Sequence, residues 1–272
     1  MKRAVRALLA TAALGAAFLL PRPAAAETPE MVTDRPDQTE SSSIVPIDRI
    51  QIEVGWTLSH DEIGGVENEA REAPGVLVRA GFSDRMEMRL GYDGYIAEEV
   101  DDGSSSAEES GSGDGSVGLK IFLREEEGRI PETAVILSLS LPIGAEEFSS
   151  HGVDPTVLLC QSLTLGGPFS LGWNLGGTLP SREDADGDRE TDSYLKYSVA
   201  LGAGLGDRVG LFAEFFGEAP VDATTGALNS VDGGITFLLR HNVQIDCAGG
   251  AALSEDGADW FAGAGLSLRF PD

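Results

Sequence analysis

Strict alternation begins at Ile50, where the chain reads Ile50-Gln51-Ile52-Glu53-Val54-Gly55-Trp56-Thr57-Leu58. Every second residue is large and apolar, and the residues between are polar or small. A period of two places the apolar side chains on one face of a β-strand. The same alternation recurs at residues 86–92 and 260–270, so one-faced strands continue to the end of the chain.

This pattern predicts twelve strands, and helical periodicity is nearly absent after residue 26. The strands are expected at residues 49–59, 75–82, 85–93, 115–124, 132–141, 156–165, 169–179, 193–204, 208–217, 228–239, 242–252 and 259–270. Many are about ten residues long, which suits a tilted membrane-spanning strand better than a strand of a soluble protein.

The connections alternate between short ones and long polar ones, and the last of the second kind, residues 254–258, is short but acidic. Outer-membrane barrels have short periplasmic turns and longer extracellular loops. A closed barrel also leaves no sheet edge, which hydrocarbon could not satisfy. We therefore predict an all-β fold, a transmembrane up-and-down antiparallel β-barrel of about 12 strands with long acidic extracellular loops, over residues 49–270.

The N-terminal region has the features of a secretory signal: basic residues, an apolar run from Ala7 to Leu20, and a small-residue end at Ala24-Ala25-Ala26. We expect cleavage after Ala26, giving a signal peptide at residues 1–26. The alternative, an uncleaved anchor helix, is disfavoured because a span needs about 20 apolar residues. Secretion and a barrel pattern together predict the outer membrane of a Gram-negative bacterium.

The acidic residues are concentrated in the expected loops. The chain has a formal net charge of −26, and removing residues 1–26, which hold four basic residues and no acid, makes it −30. Such a polyanion excludes nucleic acid as a partner. The expected external loops hold 25 of the 45 acids against only Arg71, Arg182 and Arg189.

Charges also occupy strand positions that should face inward. The basic ones are Arg79, Arg85, Arg89, Lys120, Lys196, Arg240 and Arg269, and the acidic ones are Glu53, Glu87, Glu214, Asp232 and Asp246. Inward charges suit a water-filled lumen, although they could also pair across strands and close it. The residues predicted to line a pore are Glu53, Arg79, Glu87, Arg89, Lys120, Lys196 and Glu214.

One acidic loop has the alternate carboxylates of a calcium loop, at Asp184, Asp186 and Asp188. Arg189 and Leu195 stand where an EF-hand needs glycine and glutamate. A solvated acidic loop is the favoured interpretation, and weak divalent binding that bridges lipopolysaccharide phosphates is the alternative. No cofactor is expected.

Enzyme chemistry finds little support in the sequence. An outer-membrane hydrolase would need a histidine beside a serine and an acid. His60 and His151 are expected in or beside external loops with serines or acids nearby, His241 lies in an expected periplasmic turn, and the chain has no G-x-S-x-G motif. We predict that the protein is not an enzyme.

The segment Thr33-Asp34-Arg35-Pro36-Asp37-Gln38-Thr39-Glu40-Ser41, followed by Val45-Pro46, resembles the start of the outer-membrane transporter family named for the MetA pathway of phenol degradation. Residues 83–91, 139–144 and 259–270 are also similar to that family. The resemblance implies a porin-like barrel that passes small solutes, some of them aromatic, and it carries over no catalytic residues. The C-terminal aromatic strand resembles the signal read by the barrel-assembly machinery, although Pro271 and Asp272 follow Phe270.

Residues 27–48 form a polar periplasmic lead-in, which is either a plug inside the lumen or a disordered linker. The function we expect is passive or weakly selective passage of a small-molecule solute, with outer-membrane lipid and lipopolysaccharide around the barrel. The alternatives are a closed structural or surface-interaction barrel whose acidic loops do the work, and a hydrolase.

Overall fold

The structure is a computed structural model that describes residues 30–183, 189–222, 226–255 and 257–271. Residues from Met31 onward belong to one compact unit. Its regular structure is β-strand apart from one short 3-10 helix, Glu146–Phe148. No helix in the described part of the chain is long and apolar enough to cross a membrane.

The described strands are β1 Ile50–Ile63, β2 Val66–Ser83, β3 Met86–Tyr92, β4 Tyr95–Asp101, β5 Ser106–Ser112, β6 Gly115–Arg124, β7 Glu132–Leu141, β8 Asp154–Gly166, β9 Phe169–Thr178, β10 Ser181–Glu183, β11 Arg189–Thr191, β12 Tyr194–Leu205, β13 Val209–Pro220, β14 Leu228–Arg240, β15 Val243–Ala252 and β16 Trp260–Phe270. All but β10 and β11 form one antiparallel sheet, and those two pair with each other.

The large sheet closes on itself. β1 pairs with β16 on one side, from Ile50 opposite Phe270 to His60 opposite Trp260, and with β2 on the other. A closed ladder satisfies backbone N–H and C=O groups within the barrel, as a hydrocarbon environment requires. The predicted up-and-down barrel is confirmed.

The barrel wall has twelve strands, as predicted, because two wall positions are each filled by two consecutive strands. β2 pairs with β3 from Val76 onward and with β4 before Pro74. In the same way, β3 pairs with β6 and β4 pairs with β5. β3 and β4 therefore share one wall position, and β5 and β6 share the next.

The two ends of the barrel differ in their connections. The turn end, where β1 begins and β16 ends, carries the tight connections between β2 and β3, β8 and β9, β12 and β13, and β14 and β15. The loop end carries the longer connections, such as residues 142–153 and 221–227. By the rule for outer-membrane barrels, the turn end corresponds to the periplasmic side.

Residues 60–74 and 94–114, which the sequence pattern assigns to loops, are largely paired strand. β1 and β2 continue to a two-residue turn at Gly64-Gly65, where both residues have positive φ, as tight hairpin turns require. β4 and β5 likewise pair from Tyr95 opposite Ser112 to Asp101 opposite Ser106. The hydrophobic pattern missed these extensions because charged and small residues replace the apolar ones there.

The two faces of the wall have opposite character. The outer face exposes apolar side chains, including Trp56, Leu137, Leu175 and Leu201. The inner face buries polar and charged ones, with Gln51, Glu53, Arg79, Glu87 and Lys120 fully buried. This inversion of the usual soluble arrangement matches a barrel whose outer band contacts lipid.

Two basic residues expected to face inward do not. Arg85 lies exposed in the turn before β3, and Arg240 is exposed at the end of β14. Register shifts after Gly81 and Leu238 interrupt the alternation just before each of them. Strict alternation therefore fails at the strand ends.

We expect the outer face to show depth-dependent sensitivity to charge. Val199 lies in the middle of β12 and is exposed on the outer face, whereas Leu195 lies on the same face near the loop end. Val199→Arg should lower the free energy of unfolding by about 2–4 kcal/mol, and Leu195→Arg by about 0–1 kcal/mol. Denaturant titration of protein refolded into lipid vesicles measures both, and equal losses would contradict a lipid-facing band.

Candidate functional site

The segment that precedes β1, residues 31–48, lies inside the barrel; we call it the N-terminal segment. Met31 and Val45 are buried, and polar groups along the segment bond to inward-facing side chains of strands on several sides of the lumen. Its last residues run along β2 at the turn end, where the Asp48 N–H donates to the Gly81 carbonyl at 3.2 Å. The segment thus enters and leaves the lumen at the turn end.

Arg79 of β2 is the centre of a buried ion-pair network. Its guanidinium lies 3.0 Å from Glu53 Oε1 of β1, 2.8 Å from Glu87 Oε1 of β3 and 3.1 Å from Asp34 Oδ2 of the N-terminal segment. The side chains of Arg79, Glu53 and Glu87 are fully buried. Buried charges need such pairing because an uncompensated one costs several kcal/mol.

Three cations of the wall converge on Asp34. Lys120 Nζ lies 3.0 Å from Oδ1 and 2.9 Å from Oδ2, and Arg79 and Arg89 both pair with Oδ2. Burial alone would raise the pKa of Asp34, but Arg79, Lys120 and Arg89 outweigh it and hold that pKa well below its usual range. Asp34 is therefore a buried carboxylate.

Glu40 forms a second link to the same wall. Arg89 Nη2 donates to the two Glu40 carboxylate oxygens at 2.9 and 2.8 Å. The side-chain amide of Asn174 on β9 accepts the Glu40 backbone N–H and donates to the Glu40 carbonyl. Burial is the main reason that the pKa of Glu40 is raised to about 7; Arg89 lowers it, and the nearby Asp34 carboxylate raises it further. The segment thus spans from β3 to β9 at this residue.

The opposite side of the lumen is acidic. Glu214 of β13 accepts the Gln38 N–H at 2.7 Å and the hydroxyl of Thr39, which also contacts Ser198 at 2.7 Å. Asp232 of β14 lies directly across from Glu214 in the strand register. Burial, and then Glu214, raise the pKa of Asp37 well above its usual range.

Glycines in the wall make room for the N-terminal segment. A Cβ at Gly55 or at Gly265 would overlap the Arg35 side chain, and one at Gly81 would overlap the backbone of Val45 and Pro46. Arg35 pairs with Asp246 at 3.4 Å and donates to the Ala264 carbonyl at 3.2 Å. These strand glycines therefore have a packing role, as expected where another part of the backbone approaches closely.

Cavities remain beside the N-terminal segment. One of about 430 Å³ is lined by Gln38, Glu40 and wall residues that include Ile136, Leu158, Asn174, Lys196, Ser198 and Phe216. A second of about 290 Å³ lies against Arg35, Glu40 and Arg89. Glu40, Ile136 and Ser138 line both cavities, so the two meet around Glu40.

All seven residues predicted to line a pore point into the barrel, but they fall into three groups. One group is the buried network with the N-terminal segment: Glu53, Arg79, Glu87, Arg89 and Lys120. Glu214 contacts the tip of the segment from the other side. Lys196 stands apart, pairs with Glu218 at 2.6 Å and lines the larger cavity.

Sequence reasoning missed the residues that complete the network. Asp34 and Glu40 lie in the motif that marks the family resemblance, yet nothing in the sequence says which wall residues they meet. Asn174 carries a clearer signal, because it is the single amide in the glycine-rich and apolar run Phe169–Thr178.

The remaining candidate sites predicted from the sequence are an acidic loop and two histidines. Asp184, Asp186 and Asp188 lie outside the described residues, and the part of the chain that the structure describes contains no cluster of metal-ligating side chains. The ring of His60 stacks on Trp260 with centroids 5.9 Å apart. His151 lies in the connection between β7 and β8, and its backbone N–H donates to the Ser149 hydroxyl.

Solved structures share the fold at low sequence identity. The COG4313 outer membrane channel from Pseudomonas putida F1 has a TM-score of 0.64 and 11% identity, over 84% of this chain and 98% of that one. The beta domain of the Bordetella autotransporter Brka gives 0.57 and 12%, over 82% and 100%. The transport unit of the autotransporter AIDA-I from Escherichia coli gives 0.52 and 9%, over 82% and 90%.

No curated protein matches the sequence. A family model does: residues 33–270 match the family described as "Putative MetA-pathway of phenol degradation". The match begins within the N-terminal segment and ends at the last residue of β16, so it includes both the wall and the segment inside it. The chain belongs to this family.

Proposed function

We propose that the protein is an outer-membrane channel for passive, weakly selective passage of small solutes, and that the N-terminal segment is its plug. One observation carries the proposal: a barrel with an apolar outer face encloses a polar interior in which cavities remain beside the segment. A purely structural barrel could use the paired charges to close its lumen, but it has no need of the cavities. Family membership supports the same conclusion.

The larger cavity suits small solutes that are partly hydrophobic. Its volume of about 430 Å³ falls in the range of small-molecule sites, roughly 300–1,000 Å³. Ile136, Leu158 and Phe216 offer apolar surface, while Asn174 and Ser198 offer hydrogen bonds. An aromatic ring with one polar substituent has both kinds of surface, so we include such molecules among the solutes.

The environment of the barrel follows from its surface. The apolar outer band would contact outer-membrane lipid and lipopolysaccharide, and the aromatic last strand would be read by the barrel-assembly machinery. Acidic residues at the loop end, such as Glu98, Glu99 and Asp102, would repel anions and attract divalent cations.

A closed barrel with a surface role is the second candidate, because the N-terminal segment and the buried ion-pair network occupy part of the lumen near the turn end. Its working part would be the acidic loop end. If removal of residues 98–113 and 182–192 abolishes the cellular role of the protein while conduction is unchanged, this candidate is favoured.

The third candidate, a hydrolase, predicts that His60→Ala or His151→Ala abolishes lipid or peptide cleavage. We expect no cleavage from the wild type.

Removing the plug should enlarge the pore. Deleting residues 31–45 from the mature chain takes away the segment and leaves the wall cations facing water, so single-channel conductance in planar bilayers should rise several-fold. The matched control replaces Glu98–Glu109 with an Asn-Gly turn, which shortens the β4–β5 hairpin outside the lumen and should change conductance little. Absence of conductance from both the wild type and the deletion variant would refute the channel.

The open probability of the channel should also increase with pH. The docked segment holds Glu40 with a pKa of about 7, whereas a withdrawn segment returns it to the ordinary value near 4.5. Docking therefore takes up protons between these values, and it weakens as pH rises toward 7. Recordings from pH 5 to 8 should show rising open probability. Glu40→Gln should make the rise smaller, and Asp37, whose pKa is also raised, should retain part of it. A fall in open probability with pH would contradict this linkage.

A further inference from the structure

The wall and the N-terminal segment contribute opposite charges to the buried network. The wall alone supplies three cations, Arg79, Arg89 and Lys120, and two anions, Glu53 and Glu87. It therefore carries a surplus of one positive charge in a place from which water is largely excluded. The carboxylate of Asp34 lies where the three cations converge.

From this arrangement, we propose that Arg79, Arg89 and Lys120 form a binding site for small carboxylates, which the protein's own Asp34 occupies while the plug is docked. The site takes a free carboxylate in competition with Asp34. This inference rests on the proposed function, since it assumes that the segment can leave the wall. It adds a solute class, monocarboxylates, to the channel.

The geometry favours a carboxylate over other anions. All three cations contact Oδ2 of Asp34, and Lys120 Nζ also lies 3.0 Å from Oδ1, so a carboxylate makes one contact that a single-atom anion lacks. Glu53 and Glu87 border the site through Arg79, and they would repel a phosphate dianion more than a monoanion. A single negative charge also balances the surplus of the wall.

The position of the site separates it from the acidic loop end. Arg79 lies four residues before the end of β2, and Lys120 four residues before the end of β6, both at the turn end. Acidic side chains of the β4–β5 hairpin lie at the other end of the barrel. The repulsion that they exert on anions is further reduced by salt, because the Debye length is about 8 Å at physiological ionic strength.

Chemical rescue tests the site in the full-length mature protein. Asp34→Gly removes the atoms of one acetate ion and leaves the three cations in place. Its thermal unfolding midpoint in detergent should fall below that of the wild type. Sodium acetate at 100 mM should then raise that midpoint by about 2–4 °C relative to sodium chloride at equal ionic strength, as a gain of about 1 kcal/mol would for a protein of this size.

Two controls isolate the three cations. Asp37→Gly removes another acid of the N-terminal segment, one that faces Glu214 and Asp232, and acetate should not rescue it. Lys120→Met added to Asp34→Gly removes one of the cations and should abolish the rescue. Rescue that is no larger than the chloride effect, or that persists in the double variant, would overturn the proposal.

Competition is tested in the wild type by hydrogen exchange of residues 31–45. Acetate should speed exchange there, while chloride at the same ionic strength should not, and equal exchange in both salts would refute competition. Neither measurement requires conduction. A channel that conducts without acetate rescue would refute the carboxylate site alone, and rescue in a barrel that never conducts would refute the channel alone.

Discussion

A closed hydrogen-bonded ladder is the constraint on which the rest of this structure depends. In hydrocarbon, a strand with an unpaired edge leaves backbone N–H and C=O groups unsatisfied, so the sheet must return to its first strand. β1 achieves this by pairing with both β16 and β2. Closure then divides every strand into lipid-facing and lumen-facing residues, and a shift of one residue would exchange the two faces.

Closure also creates the problem that the N-terminal segment solves. Charges on the inner face of a twelve-stranded barrel face one another across a narrow space, where an unpaired ion is costly. Arg79 pairs with Glu53 and Glu87 on neighbouring strands. Arg89 also lies 3.4 Å from Glu87, but the shorter contacts of Arg89 and Lys120 are with Asp34 and Glu40 of the segment. The segment therefore supplies counter-ions to the wall, which explains how a polar chain of this length is held inside the barrel.

The lumen consequently has two different sides. The side of β2, β3 and β6 is basic and is neutralised by the segment, whereas Glu214 and Asp232 on β13 and β14 face Asp37. Ion pairs on one side of the segment and acids on the other are the basis of the proposed responses to pH and to competing anions. Such a response needs no hinge in the wall, because only the contacts of the segment change.

The sequence determined the features that depend on residues close together along the chain, and not those that depend on residues far apart along it. Period-two alternation identified the twelve wall strands and the inward position of Glu53, Arg79, Lys120 and Glu214, because both are local properties of a strand. It failed at Arg85 and Arg240, where register shifts break the period, and at the β1–β2 and β4–β5 hairpins, where charged residues continue the ladder. Only the tertiary structure decided that Asp34 meets Arg79, Arg89 and Lys120, which lie up to 86 residues away along the chain. That contact follows from barrel closure and the path of the N-terminal segment, and no local pattern encodes either one.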